Sequence, residues 1–236
     1  LKDAMVAVFE AAGCEVLDFG LSTTPALFMA TQFEEFACDA GIMLTASHLP
    51  FYFNGIKIFS QAGGAEKSDI AYILSHTEPS EAAKGNVTEA DLLSRYAADL
   101  VEKIQRGSGS EQPLKDMKIV VDAGNGAGGY FADKVLAVLG ADTSGSQFLE
   151  PDGNFPNHIP NPDNKEAMAS IKKAVLNNQA DLGVIFDTDV DRSAIVSKDG
   201  QMINRNNLIA VLSAIVLQEH PGSTIVTNSP TSDHLK

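Results

Sequence analysis

Three short segments of this 236-residue chain concentrate side chains able to do chemistry. The first, Asp187-Thr188-Asp189-Val190-Asp191-Arg192, follows the apolar run Leu182–Phe186. Alternate carboxylates on a turn at a strand's C-terminal end can turn three hard oxygen ligands toward one divalent cation, and few structural reasons exist to crowd like charges there. An EF-hand is excluded, because the sixth and twelfth positions are Arg192 and Lys198 rather than Gly and Glu. Two other readings stand beside the metal loop. One is a solvated acidic turn; the other is an aspartyl phosphatase, which also begins with a strand and Asp-x-Asp, with Asp187 as nucleophile and Asp189 as acid/base. The second segment is Thr45-Ala46-Ser47-His48-Leu49-Pro50, with Asn54 and Lys57 close behind. It gathers hydroxyl, imidazole and ammonium groups at a strand end, where α/β proteins build sites. The Ser47-His48 neighbour pair carries little by itself, since adjacent side chains rarely meet in nucleophile–base geometry. The third segment holds G-x-G-x-x-G at Gly124, Gly126 and Gly129. A dinucleotide site also needs an acidic residue ending the next strand about 20 residues on. Asp142 and Glu150 fall before or after that strand's end, which favours a tight strand-to-helix turn over nicotinamide or flavin binding.

The elements that must carry these loops alternate. Leu1–Ala12 has helical spacing at Met5, Val8 and Phe9; Glu15–Asp18 reads as a strand; Thr24, as N-cap before Pro25, opens a helix to about Ala37. Strands at Gly41–Leu44 and Gly55–Phe59 flank the Ser47 loop, and Glu66–Ser75 is helical. Leu92, Leu93, Tyr96, Leu100 and Ile104 mark one face of a helix with a Thr88/Asp91 capping box and an end at Gly107. Gly107–Pro113 has linker composition. A second unit follows: strand Lys118–Asp122, the Gly-rich turn, helix Tyr130–Leu139, a strand near Thr143–Phe148, helix Lys165–Asn178, strand Leu182–Phe186, and a hairpin turning at Asp199-Gly200. The expected fold class is α/β, with consecutive domains of mainly parallel mixed sheets flanked by helices. A new helix from Asn206 and a strand at Ser223–Thr227 open a third unit, with another helix due after Asn228. The absence of an initiator Met and the stop at Lys236 predict a fragment of a longer protein.

Composition narrows the partners. Hydrophobic residues at 44% and charged ones at 20% exclude a disordered polyelectrolyte and leave a packed soluble protein. The balance of 17 basic against 31 acidic residues, net −14, disfavours nucleic acid and anionic membranes and suits a protein that handles a cation. No apolar run reaches the ~18 residues of a bilayer span. Cys14 and Cys38 lack metal or disulfide spacing and read as reduced, buried thiols.

Together the loops resemble a known family. Gly41–Pro50 followed by Asn54-Gly55-Ile56-Lys57 resembles the phosphoserine loop of the α-D-phosphohexomutases, the phosphoglucomutase/phosphomannomutase superfamily, and Asp187–Arg192 resembles its metal loop. Asp122–Gly126 and Pro151–Pro162 resemble two further segments of the family's second domain. The resemblance covers essentially the whole chain. It implies a phosphoserine-loop domain at 1–107, a metal-loop domain at 113–203 and the start of a third domain at 204–236. The chain departs from the pattern at Leu49, where the family commonly has Asn, and at Thr188, where it commonly has Gly. The Leu variant is similar to that of plant and algal plastid members, so the compartments implied are cytoplasm or plastid stroma. The family's upstream Arg, its sugar-recognition loop and its phosphate-binding domain have no counterpart here.

What the resemblance implies is an intramolecular phosphotransferase working on hexose phosphate through a hexose bisphosphate. Ser47 would carry the phosphoryl group, with Mg²⁺ held by Asp187, Asp189, Asp191 and the phosphate on Ser47. Arg192 would contact that phosphate, Lys57 would transfer a proton, and His48 would either take part in catalysis or pack the loop. This segment alone would be inactive. A non-catalytic relative kept for assembly is the rival reading, ahead of the aspartyl phosphatase.

Overall fold

The computed structural model describes residues 1–50, 52–78 and 87–227. The fold is α/β with mixed sheets. In the first unit, helix α1 (Lys2–Ala11) leads to strand β1 (Leu17–Asp18), which pairs in parallel with β5 (Thr88–Glu89). Helix α2 (Thr24–Ala30) packs on β2 (Ala40–Leu44), which runs antiparallel to β3 (Ile56–Ser60), followed by β4 (Gly63–Gly64) and helix α3 (Lys67–Ser75). Ala26, Leu27, Ala30 and Phe33 bury one face of α2 and its following turn with Leu92, against Met43 and Phe59 of the sheet.

The second unit is built on β6 (Ile119–Asp122) and β7 (Leu182–Phe186) in parallel, with β8 (Ser193–Ser197) antiparallel to β7. Side chains alternate across a strand. Val120 and Ile185 accordingly pack on helix α5 (Lys165–Asn178) through Ala167, Ile171, Ala174 and Val175, while Ile119, Val121 and Phe186 face Ala132 and Leu136 on the opposite layer. Helix α4 (Leu92–Ser108) is common to both units: Leu92 belongs to the first core, whereas Ala97 and Val101 pack with Val135 and Leu139 of the second. Helix α6 (Arg205–Glu219) follows, with none of its side chains buried.

Several elements differ from the sequence expectation for identifiable reasons. Thr23, not Thr24, caps α2 by accepting from Ala26 N, and the helix stops at Ala30, where the Thr31 hydroxyl bonds Phe28 O and the chain turns to bury Phe33. Thr88 is paired with β1, so Asp91 alone caps α4 through Ser94 N, and that helix runs past Gly107 to Ser108 before Gly109 turns it at φ 67°. In place of a regular helix at Tyr130–Leu139 there is a 3₁₀ turn (Ala127–Gly129), where a Cβ on Gly128 or Gly129 would strike Phe186 or Leu149, and then a π-helical turn (Ala132–Leu136). Residues 143–148 make a single isolated bridge to β6, Gln147 with Asp122, and Val121 N donates to the Ser146 hydroxyl where a strand would offer a carbonyl. Ser223–Thr227 pairs with no strand among the described residues, and the helix expected after Asn228 lies outside them. Cys14 is exposed rather than buried, since it follows α1 at a surface turn. No helix of the described residues is long and apolar enough to cross a membrane.

One polar cluster sits inside the second unit. Asp122, fully buried at the end of β6, accepts from His158 Nε2 at 3.0 Å, Gly124 N at 2.9 Å and Gln147 Nε2 at 2.7 Å. Burial opposes the charge on His158, but the bond and charge of Asp122 override it and hold the imidazole above its ordinary range. Removing one partner of such a pair strands the other. His158→Ala is therefore expected to cost about 3–5 kcal/mol in urea denaturation near pH 6. Because the folded-state value is raised, the contribution is whole below His158's ordinary titration range and fades as pH rises through the folded value, so the gap between wild type and variant should narrow as the pH is raised.

Candidate active site

The acidic loop closes on itself at the end of β7. Asp187 is fully buried; its Oδ1 accepts from Arg192 N at 3.0 Å, and its Oδ2 accepts from Arg192 Nε at 3.1 Å and Nη2 at 2.8 Å. Asp189 is 2% exposed, and its Oδ2 accepts from Lys57 Nζ at 2.6 Å and Thr24 Oγ1 at 2.7 Å. Asp191, nearer the surface, takes Lys57 Nζ at 2.7 Å. One carboxylate oxygen from each of the three aspartates lies within 4.8 Å of the others. Val190, between two of them, holds φ 65°, a conformation that costs a β-branched residue of order 1–3 kcal/mol.

The first unit brings Ser47 to this loop. Register puts Lys57 on β3 opposite Met43 on β2, and the connection is tight: Thr45 N donates to Gly55 O, and a Cβ on Gly55 would strike Thr45 O. Ser47 itself has φ 54°, and its Oγ accepts from Arg192 Nη2 at 2.9 Å, lies 3.3 Å from His48 Nδ1 and donates to Asp187 Oδ2 at 3.4 Å. The left-handed backbone thus lets adjacent Ser47 and His48 meet, contrary to the sequence expectation; Arg192 Nη2 also contacts His48 Nδ1. All seven residues singled out from the sequence (Ser47, His48, Lys57, Asp187, Asp189, Asp191 and Arg192) fall in this one cluster. Thr24 joins it; the sequence marks this residue only as a helix cap, since a hydroxyl just ahead of Pro25 carries no further signal.

Electrostatics separate the carboxylates. Burial, reinforced by Asp189 and Asp191, pushes Asp187 up to about 6 against the pull of Arg192 N–H. At Asp191 burial works the same way, yet Lys57 and its other partners win and hold it below the usual range. Lys57 is partly buried, which favours neutrality, but its bonds to Asp189 and Asp191 keep it a firm ammonium. The remaining oxygen, Asp189 Oδ1, is buried with no partner among the described residues. A buried carboxylate oxygen without a partner, on one of three aspartates whose carboxylates cluster within 4.8 Å, fits a hard divalent cation.

The Gly-rich segment buttresses the loop. Ala127 N donates to Thr188 O at 2.8 Å, and a Cβ on Gly126 would sit 2.7 Å from that oxygen, so these glycines make room for protein backbone, not for a nucleotide. Asn125 at φ 62° fastens the following segment through Glu150 O and Asn157.

Two sequence models of one family cover most of the chain. "Phosphoglucomutase/phosphomannomutase, alpha/beta/alpha domain I" matches residues 1–83, and the corresponding domain II matches residues 94–200. The chain belongs to the phosphoglucomutase/phosphomannomutase family. A phosphomannomutase/phosphoglucomutase of Pseudomonas putida is 35% identical over 217 residues, 91% of this chain and 45% of that protein. A phosphomannomutase of Salmonella typhimurium is 34% identical over 238 residues, 96% of this chain and 51% of that protein. The crystal structure of a family protein from Burkholderia thailandensis superposes with a TM-score of 0.76 at 29% identity, over 90% of this chain and 46% of that one. The chain spans about half the length of the curated relatives it matches.

The buttress yields a direct test. Gly126→Ala should cost about 1–3 kcal/mol, since backbone on both sides must move. Gly153→Ala, with open space around it, should stay within about 0.5 kcal/mol of wild type in the same urea titration.

Proposed function

We propose that this chain is the phosphoserine- and metal-bearing part of a phosphohexomutase that interconverts hexose 1-phosphate and hexose 6-phosphate through a hexose bisphosphate. The observation that carries this reading is the convergence of Ser47 with Arg192 and Asp187, 145 and 140 residues away along the chain, in a family with relatives named phosphomannomutase and phosphoglucomutase. Asp187, Asp189 and Asp191 would hold Mg²⁺ with an oxygen of phosphorylated Ser47, and the ion would neutralise charge on the group being transferred.

The chain's own residues supply the rest. Arg192, 2.9 Å from Ser47 Oγ, is placed to take a phosphate oxygen with the arm that now holds the hydroxyl. In the forward half-reaction the Ser47 O–P bond breaks as a sugar hydroxyl forms the new O–P bond, and the hydroxyl proton must leave. That proton ends on Ser47 Oγ, the leaving oxygen: Lys57, held as an ammonium, suits proton donation, and His48, 3.3 Å from Ser47 Oγ, is placed to hand a proton to it. Water-soluble sugar phosphates suit an enzyme of cytoplasm or plastid stroma.

Phosphopeptide mapping of the complete protein after exposure to glucose 1,6-bisphosphate should place the label on Ser47. Label on Asp187 would establish the phosphatase chemistry instead, and no label with no turnover would favour the non-catalytic relative. A second expectation follows from the raised Asp187. Mg²⁺ must displace its proton below about pH 6, so affinity measured by calorimetry should fall by up to about tenfold per pH unit there and level off above pH 7.

A further inference from the structure

Thr24 reaches the acidic loop from the other unit with two groups at once. Its backbone N–H donates to Asp189 O at 2.9 Å, and its hydroxyl donates to Asp189 Oδ2 at 2.7 Å. The N–H is available for this because it lies in the first turn of α2, where donors have no partner within the helix. The turn's other donors are settled locally: Pro25 has none, Ala26 N goes to Thr23 Oγ1 and Leu27 N to Thr23 O. Thr24 is 8% exposed, so water does not compete freely for either bond.

The consequence lies in how the two oxygens of Asp189 are shared. Oδ2 is taken by Thr24 and Lys57, whereas Oδ1 is left buried without a partner. A carboxylate free to rotate would exchange those roles; two donors on one oxygen plus a bond to the same residue's carbonyl prevent it. We propose that Thr24 is a positioning residue that fixes Asp189 with Oδ1 open to the cation, and so sets the metal affinity of a loop it does not belong to. This rests on the reading of Asp189 as a metal ligand.

The test uses Mn²⁺ as a paramagnetic probe, with free and bound ion measured by electron paramagnetic resonance on the chain, beside thermal melts. Thr24→Val and Thr24→Ala should each weaken Mn²⁺ binding about tenfold or more, as expected for loss of a hydrogen bond to a charged group, and broaden the bound-ion spectrum. Thr24→Ser, which keeps the hydroxyl, should bind within about twofold of wild type. Wild-type affinity in either hydroxyl-free variant, or equal weakening in Thr24→Ser, overturns the proposal. Asp189→Asn separates the two readings: if it binds Mn²⁺ as wild type does, the metal assignment itself fails, whereas loss in Asp189→Asn with none in Thr24→Val sinks only the role of Thr24.

Discussion

Uncompensated carboxylates cannot be buried together, and the site is organised around that cost. Asp187 and Asp189 are almost wholly enclosed beside Asp191, and an unpaired ion in such a place would shift its protonation or open the fold. The second unit supplies one counter-charge, Arg192, from the same loop; the other, Lys57, comes from β3 of the first unit. Charge balance thus does what a large apolar interface would otherwise do. It ties the Ser47 loop to the acidic loop, and the common helix α4 gives that tie a rigid base by lending Leu92 to one core and Val101 to the other.

Two residues near the reacting positions hold backbone conformations that side chains disfavour. Ser47 at φ 54° and Val190 at φ 65° are retained because neighbouring contacts over-determine them: the Thr45 hydroxyl accepts from Ser47 N at 2.9 Å, and Val190 packs between Gly128 and the Phe186 core. The strain aims functional groups. It turns Ser47 Oγ toward Arg192 and splays Asp189 and Asp191 so that one lysine bridges them.

Periodicity and chemistry made some features legible in advance. Helix α5 and strand β7 have the bounds that their apolar patterns predict, and the serine loop and acidic loop were recognisable because hydroxyl, ammonium and carboxylate groups crowd strand ends where a purely structural turn needs none. What escaped was set by contacts between distant segments. Gly128 has no room for a Cβ beside Phe186, the Ser146 hydroxyl takes the Val121 N–H that a strand carbonyl would take, and the Asp122–His158 pair joins residues 36 apart. Thr24 escaped for the same reason: its partner lies 165 residues away. A sequence motif says which groups are present; only the fold says which oxygen each one holds.

The order of synthesis acquires meaning from these separations. Ser47 leaves the ribosome 140 residues ahead of Asp187, and Lys57 precedes Asp189 by 132. At ordinary elongation rates of roughly 5–20 residues per second, that interval is on the order of ten seconds. Throughout it the nascent first unit carries its serine and lysine with neither the arginine nor the carboxylates beside them, although its own β2–β3 hairpin closes in microseconds. The site is therefore among the last features of these two units to exist, and a truncated or stalled chain holds the serine without the loop that would make it reactive.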